Sequence, residues 1–264
     1  MLTRTETENY WTSAACAKAF WSQHELPPYQ ELLRDTRAWL EPKPLEKWLD
    51  LGCGGGQLTR ALWEASGGRL AEIVGVDCAA ANGEAFARLR RRLQPLPRAQ
   101  RVRFVALDFS RGLPSWQDNH FDGVVSGLAI QYAESYCEES ARWTADGYDG
   151  LLAEVHRVLR PDGRFVFSVN VPKPRWGRVA WTALRGMFGA PRPLHYLKRA
   201  WRIWRYGGWL KRESRRGRFH YLPVETVIAK LRAAGFSAVD YKMSFAGQAY
   251  LLRCRKALAA TRAA

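Results

Sequence analysis

Short apolar runs alternate with longer stretches of helical periodicity along most of the chain. Five runs read as buried strands that end close to a Gly, Asp or Pro, namely residues 46–52, 73–77, 102–108, 121–127 and 163–171. Strands that alternate in this way with helices are typical of a parallel sheet wound by crossover helices. The pattern therefore predicts an α/β fold with helices on both faces of the sheet.

The segment after the fourth strand gives the clearest helix. Apolar residues between Gly147 and Arg160 share one helical face, and Pro161-Asp162-Gly163 predicts a turn into the fifth strand. The strand and helix rhythm then stops after Val171 for some fifty residues, which indicates an insertion.

The rhythm resumes near the C-terminus. A helix is predicted over 224–234 with a cap at Gly235, followed by two strands within 238–255. These two strands bring the expected sheet to seven. Residues 257–264 have no apolar periodicity and are expected to be frayed.

The first strand leads directly into a glycine-rich turn. Trp48–Leu51 is followed by Gly52-Cys53-Gly54-Gly55-Gly56, and residues 57–65 have helical character. A dinucleotide fingerprint requires its third glycine at position 57, which is Gln57. The glycines stand instead at 52, 54 and 56. Backbone without Cβ atoms approaches a ligand closely, and the free N–H groups at a helix start favour an anionic group such as a carboxylate.

This G-x-G-x-G spacing resembles the loop of class I S-adenosylmethionine-dependent methyltransferases, and the resemblance extends over residues 45–171. It implies a Rossmann-like, seven-stranded, mostly parallel sheet that binds S-adenosylmethionine at the end of the first strand and releases S-adenosylhomocysteine. Asp77 ends the second strand about twenty residues after the loop, where an acid accepts both ribose hydroxyls. Asp108 matches the family's acceptor for the adenine amino group, with Phe109 beside it. Leu128 is expected to line the methyl-donor side.

Ten residues are expected to bind the cofactor on this basis: Asp50, Gly52, Cys53, Gly54, Gly56, Asp77, Cys78, Asp108, Phe109 and Leu128. For Asp50 the alternative is a structural role in holding a neighbouring loop, and for Asp122 we favour that role.

Methyl transfer from a sulfonium is an in-line displacement, so it needs a base only when the acceptor carries a proton. Methyltransferases that act on base amines carry Asn or Asp followed by Pro-Pro and an aromatic residue, whereas residues 126–129 of this chain are Ser-Gly-Leu-Ala. Methyltransferases that act on cytosine C5 need a nucleophilic Cys, usually beside Pro, and the chain has no Pro-Cys pair. Both signatures are therefore absent from the sequence. Residues 151–171 instead resemble small-molecule methyltransferases of the quinone-biosynthesis type, in which His156 is structural. Their acceptors are phenols, enols, carboxylates or activated ring carbons.

His220, Tyr221, His195 and Tyr132 are the candidate catalytic residues, and for each an ordinary packing or surface role is the alternative. No metal is expected, because no His and acid cluster has ligand spacing. Aromatic residues near the N-terminus, Tyr10, Trp11, Phe20 and Trp21, are expected to form either a lid over the cofactor or a core-packing helix.

Charge is concentrated in the insertion. The chain has a formal net charge of +16, and residues 173–218 hold fourteen Lys and Arg against the single acid Glu213, a local balance of +13. The apolar residues of 176–187 and of 197–204 each share a helical face opposite basic residues, and the insertion carries five tryptophans. Three interpretations stay open: a substrate cap, a membrane-surface attachment, and a nucleic-acid contact.

The 264 residues are 47% hydrophobic, which suffices for a full core. No apolar run reaches 18 residues and the first ten residues do not resemble a secretory signal, so a cytoplasmic location is expected, with peripheral attachment to the inner membrane face left open. The five cysteines are odd in number and include no C-x-x-C pair, which predicts reduced thiols and neither disulfides nor a zinc ribbon.

These observations favour an S-adenosylmethionine-dependent methyltransferase for an O or C atom of a lipophilic or aromatic small molecule. An RNA methyltransferase that binds phosphates through the insertion is the alternative, and a non-catalytic cofactor-binding protein ranks third. The expected organisation is an N-terminal helical lid (1–44), a cofactor-binding core (45–171), a basic Trp-rich helical insertion (172–221), the C-terminal end of the core (222–256) and a tail (257–264).

Overall fold

The computed structural model of the chain describes residues 9–14, 17–18, 21, 23–93, 101–185, 201 and 206–258. Its strands are β1 (Lys47–Leu51), β2 (Glu72–Asp77), β3 (Val102–Ala106), β4 (Phe121–Gly127), β5 (Tyr136–Cys137), β6 (Arg142–Trp143), β7 (Leu159–Asn170), β8 (Phe236–Ser244) and β9 (Ala249–Lys256). Its α-helices are α1 (Pro27–Leu40), α2 (Gln57–Ala65), α3 (Asn82–Arg92), α4 (Asp146–Val158), α5 (Trp176–Arg185), α6 (206–215) and α7 (Val224–Ala233).

Seven strands form one sheet in the order β3-β2-β1-β4-β7-β9-β8. The first five in this order are parallel, whereas β9 runs antiparallel to β7 and β8 antiparallel to β9. The strand order therefore reverses between β1 and β4, which is where ligands bind in open α/β sheets. The Rossmann-like, mostly parallel sheet expected from the sequence is confirmed.

Both faces of the sheet are covered by helices. On one face, α4 and α7 cover a core that includes Tyr148, Phe165 and Phe167. On the other face, α1, α2 and α3 cover a core that includes Trp48. These four aromatic side chains are almost fully buried. Burial on both faces explains why the central strands read as continuous apolar runs instead of alternating ones.

The turn after α4 differs in detail from its prediction. The helix ends at Val158, and Pro161-Asp162-Gly163 lies within β7 as an irregularity where the pairing with β4 shifts register between Phe121 and Gly123. Asp162 has a φ of 61° there, so the backbone turns locally into the left-handed region although the segment belongs to β7.

The first helix of the insertion turns its apolar face inward. Val179 and Ala183 of α5 are fully buried and pack with Leu26, Leu32 and Phe245, whereas Trp181 on the outer side is 61% exposed. The predicted helix over 197–205 lies outside the described residues except for Trp201, which is helical and exposed, and the tail from 259 lies outside them as well. No helix of the described part is long and apolar enough to cross a bilayer.

Candidate functional site

A cavity of about 270 Å³ opens where β1, β2, β3 and β4 end. The residues that immediately follow these strands reach its wall: Gly52 after β1, Asp108 after β3 and Leu128 after β4, together with Asp77 at the end of β2. Carboxyl ends of parallel strands meet at one edge of a sheet, so the topology alone gathers these four positions.

The glycine-rich turn needs its glycines for two different reasons. Gly52 has a φ of 69°, and a Cβ there would lie 2.1 Å from the Cβ of Ala129, so only glycine lets this loop pass beside the segment after β4. Gly54 lines the cavity with open space next to it. Gly56 does not line the cavity: a Cβ there would lie 2.6 Å from Leu89 of α3, so its glycine serves helix packing.

Asp77 holds the glycine-rich turn and faces the cavity. One carboxylate oxygen accepts the N–H of Gly54 at 3.0 Å and the other accepts the N–H of Ala79 at 2.9 Å. Burial raises the pKa of this carboxyl, and hydrogen bonds from the Ala79 and Gly54 backbone and from the Asn82 side chain oppose that shift. A carboxylate has about four acceptor positions, so one remains for a further donor beside these three.

Asp108 meets a residue of the N-terminal segment. The Asn9 side-chain amide donates to one Asp108 oxygen at 3.0 Å, and the N–H of Ser110 donates to the other at 3.0 Å. Phe109 begins a short 3-10 turn and lines the cavity beside Asp108. The N-terminal segment is thereby tied to the carboxylate that the sequence assigns to adenine.

Asp50 lines the same cavity but is engaged in the protein interior. It is fully buried, and one oxygen accepts the N–H and the hydroxyl of Thr59 at 2.9 and 2.7 Å, which fixes the start of α2. Burial raises the pKa of Asp50 to about 7, while the Thr59 hydrogen bonds lower it. These contacts support the structural role that is the alternative to cofactor binding for Asp50.

Cys53 and Cys78 also line the cavity, and burial raises the pKa of each thiol. Thiols held in this state are poor nucleophiles. The two cysteines therefore supply wall and backbone to the cavity, not reactivity.

Beyond Gly127 the cavity continues into a part that we call the aromatic chamber, lined by Trp11, Tyr29, Leu32, Leu128, Tyr132, Asn170, Trp176, Tyr206 and Leu210. Two apolar clusters meet there through Trp176, one with Leu32 and Tyr29 and the other with Tyr132 and Leu210. The same cavity is also lined by the carboxylates of Asp50, Asp77 and Asp108.

The four candidate catalytic residues lie in different places relative to the cavity. Tyr132 lines the chamber, and the Tyr221 hydroxyl lies 3.1 Å from its hydroxyl, with burial raising the pKa of Tyr221. His220 is outside the cavity wall: a ring nitrogen lies 3.0 Å from the carbonyl oxygen of Ala133, and burial lowers its pKa. His195 lies outside the described residues.

The N-terminal segment covers the cavity from one side. The Trp21 indole N–H donates to the Asn82 side-chain oxygen at 2.6 Å, at the start of α3. Trp11 packs on Tyr132 and Phe219 with ring centroids 4.6 and 6.2 Å apart. Trp11 and Trp21, two of the aromatic residues expected to form either a lid or a core-packing helix, thus contact residues of the cavity wall, whereas Phe20 lies outside the described residues.

Asn9, His24, Asn82 and Asn170 also line the cavity, and none of them was predicted as a site residue from the sequence. Asn170 could have been identified from the sequence, because it is a polar residue at the end of a buried strand, as Asp77 is. Asn82 starts the helix after β2, so the topology places it near the same edge. Asn9 and His24 could not have been identified from the sequence, because only the fold of the N-terminal segment brings them to the cavity wall.

No group of three or more His, Cys, Asp or Glu in the described part of the chain is arranged to hold a metal ion.

Comparison with known proteins gives one family match for part of the chain. Residues 49–167, which include the glycine-rich turn and β2 to β4, match the methyltransferase domain family. No curated protein shows significant sequence similarity to the chain.

Solved structures share the fold over nearly the whole length. The N-methyltransferase NodS from Bradyrhizobium japonicum, in complex with S-adenosyl-L-homocysteine, is 16% identical with a TM-score of 0.58, over 94% of this chain and 99% of that one. A SAM-dependent methyltransferase from Aquifex aeolicus is 12% identical with a TM-score of 0.57, over 92% and 98%. A methyltransferase from Haloferax volcanii in complex with the Trm112 activator is 16% identical with a TM-score of 0.58, over 93% and 95%. At these identities the likeness establishes the fold.

Proposed function

The chain carries the domain of the class I S-adenosylmethionine-dependent methyltransferases, and from this premise we propose that it methylates an O or C atom of a lipophilic or aromatic small molecule. The observation that carries the proposal is the aromatic chamber, whose mostly aromatic and aliphatic side chains line the same cavity as the glycine-rich turn. Small-molecule sites are concave and largely apolar with few polar groups, as this chamber is.

The residues present fit the cofactor. Asp77 faces the cavity as the acceptor for the ribose hydroxyls, Gly54 borders open space, and Asp108 with Phe109 lines the wall for the adenine. The start of α2 after Gly56 offers backbone N–H groups toward an anionic group. When bound, S-adenosylmethionine supplies an electrophilic methyl group on a sulfonium.

The protein's own contribution is alignment and exclusion of water. In-line displacement is accelerated mainly by fixing the two reactants, and a chamber bounded by Trp11, Tyr132 and Trp176 restricts the acceptor's orientation. Tyr132 is the candidate that reaches the chamber wall, and the Tyr221 hydroxyl beside it provides a hydrogen-bond partner. For acceptors that must lose a proton, we therefore assign its removal to the Tyr132 hydroxyl in preference to His220.

The basic insertion is proposed to hold the enzyme against an anionic bilayer. With the apolar face of α5 packed inward, its outer side presents exposed Trp181 and the exposed Arg175 and Arg178, and Trp201 is exposed as well. Tryptophan beside arginine favours the headgroup region, and a lipophilic acceptor would be drawn from the same surface. RNA binding through the same arginines is the competing function, and it makes no use of the apolar chamber.

Transfer of a labelled methyl group separates the two functions. Purified protein is incubated with [methyl-³H]S-adenosylmethionine and either a lipid-soluble metabolite extract or total RNA, and the label is measured in organic-soluble and acid-precipitable fractions. We expect label in the organic-soluble fraction, absent from the Asp77→Ala variant. Label confined to acid-precipitable RNA would replace the small-molecule proposal with the RNA one.

A further inference from the structure

We infer that two copies of this chain associate through the edge strand β8, which pairs antiparallel with its own copy about a two-fold axis at Tyr241. The pairing joins the two seven-stranded sheets into one. The inference goes beyond the proposed function and does not rest on it. It is carried by the exposure of β8 and by the self-complementary order of its side chains.

The outer side of β8 is open. The strand ends the seven-stranded sheet and pairs, among the described residues, with β9 alone. Tyr241 and Met243 lie on one face of the strand, where their side chains are 48% and 46% exposed. A sheet edge that carries exposed apolar side chains favours pairing with another strand.

The charges on the other face of β8 select the partner. Asp240 and Lys242 stand on either side of Tyr241 and share that face. When two copies of the strand pair about Tyr241, Asp240 of each copy lies directly opposite Lys242 of the partner subunit. Side chains opposed in this way have Cβ atoms about 4.5 to 5.5 Å apart, which is within reach of an ion pair. One two-fold axis thus creates two ion pairs and brings the two Tyr241 rings together.

Ion pairs within the chain extend this row of charges. Arg253 of β9 donates to Asp240 at 2.9 Å, and Lys242 donates to Asp35 of α1 at 3.2 Å. Both ions of β8 can take a second partner, because the Asp240 side chain is 59% exposed and that of Lys242 is 36% exposed. The paired strands therefore give four charges of alternating sign across the interface on each side of the axis.

Other registers are disfavoured. A shift of one residue places Tyr241 opposite Lys242 and mixes the apolar face with the charged one. A two-fold axis at Asp240 or at Lys242 places that charge opposite its own copy. Toward the N-terminus the regular part of the strand ends at the bulge between Ser237 and Asp240, where Ala238 has a φ of 48°. The pairing is therefore confined to the segment centred on Tyr241.

Sedimentation equilibrium measures the association directly. The intact protein is studied at chain concentrations up to about 100 µM, because interfaces of small area bind weakly. We expect a reversible dimer with twice the mass of the 30.1 kDa chain. A parent protein that stays monomeric over this range would overturn the inference and leave the strand edge to another occupant.

Charge reversal identifies the strand responsible. Asp240→Lys and Lys242→Asp each place like charges opposite one another twice, so each variant alone should dimerise about tenfold more weakly than the parent. An equimolar mixture of the two should dimerise like the parent, because one variant supplies both cations and the other both anions. Arg103→Asp changes a charge on β3, the opposite edge of the sheet, and should leave the dimer Kd within about twofold.

Two results would contradict the pairing even where the parent dimerises. One is an Asp240→Lys variant with the parent's dimer Kd, and the other is a mixture that stays monomeric although thermal melts show both variants folded. Calorimetry with S-adenosylhomocysteine on the same samples keeps the two proposals separate. Failure of the parent to bind this ligand would refute the proposed function and leave the dimer unaffected.

Discussion

Removal of the Asp77 carboxylate should abolish most of the affinity for the cofactor. In the structure its two oxygens accept the N–H groups of Gly54 and Ala79, the Asn82 side chain also hydrogen-bonds to it, and the carboxylate lies at the cavity wall. If both ribose hydroxyls bind there, two charge-assisted hydrogen bonds are lost, each worth about 1.5 to 3 kcal/mol. Taking the lower figure for each, Asp77→Ala weakens binding by about 3 kcal/mol, which is a factor of about 150 in Kd.

The assay is isothermal titration calorimetry with S-adenosylhomocysteine, accompanied by a thermal melt. The melt matters because Asp77→Ala also leaves two backbone donors of the loop without their acceptor. Asp122→Ala is the matched control: Asp122 likewise accepts a backbone N–H, that of Lys47 at 2.8 Å, but lies at the opposite end of the sheet. It should lower stability and leave Kd within twofold. A folded Asp77→Ala protein with a Kd within threefold of the parent's would refute the assignment.

Three further predictions address other parts of the molecule. Asn9→Ala, which removes one hydrogen bond from the N-terminal segment to Asp108, should speed S-adenosylhomocysteine dissociation about fivefold in stopped-flow fluorescence; an unchanged rate would mean that the segment does not retain the ligand. Because burial raises the pKa of Asp50 to about 7, the folded state binds this proton more tightly than the unfolded state. The free energy of unfolding should therefore decrease as the pH rises from about 4 to about 7, by up to about 1.4 kcal/mol per pH unit. Asp50→Asn should flatten that slope in denaturant titrations at several pH values. Flotation with anionic liposomes should be lost on joint Trp181→Ala and Trp201→Ala substitution; an intact protein that does not float but binds RNA in a steeply salt-dependent way would contradict the membrane proposal.

The sheet and the cofactor end of the cavity were predictable because they follow from local sequence. Strand β1, the glycines at 52 and 54, and Asp77 lie within thirty residues, and their spacing carries the information. The parallel topology then gathers strand ends, so Asp108 and Leu128 could be placed from their positions after β3 and β4.

The aromatic chamber could not be predicted to the same extent, because it is built from segments far apart in the chain. Trp11, Asn170 and Leu210 meet only through the tertiary fold. The same holds for His220, which sits in the chain near Tyr221 but is directed to the Ala133 carbonyl, away from the cavity wall.

The helix predicted from the amphipathic pattern over 176–187 is confirmed as α5, but the pattern does not say what its apolar face contacts. In α5 that face packs on Leu26 and Phe245. The tryptophan available to a membrane there is Trp181, on the opposite side. Trp209, which the periodicity does not distinguish from Trp181, packs against Tyr10, with ring centroids 4.2 Å apart.

A crystal structure with S-adenosylhomocysteine bound tests the central claim most directly. The account predicts the ribose on Asp77, the adenine beside Asp108 and Phe109, and the sulfur directed past Leu128 into the aromatic chamber, facing Tyr132. A ligand bound elsewhere, or one in the cavity with its sulfur directed away from the chamber, would contradict it.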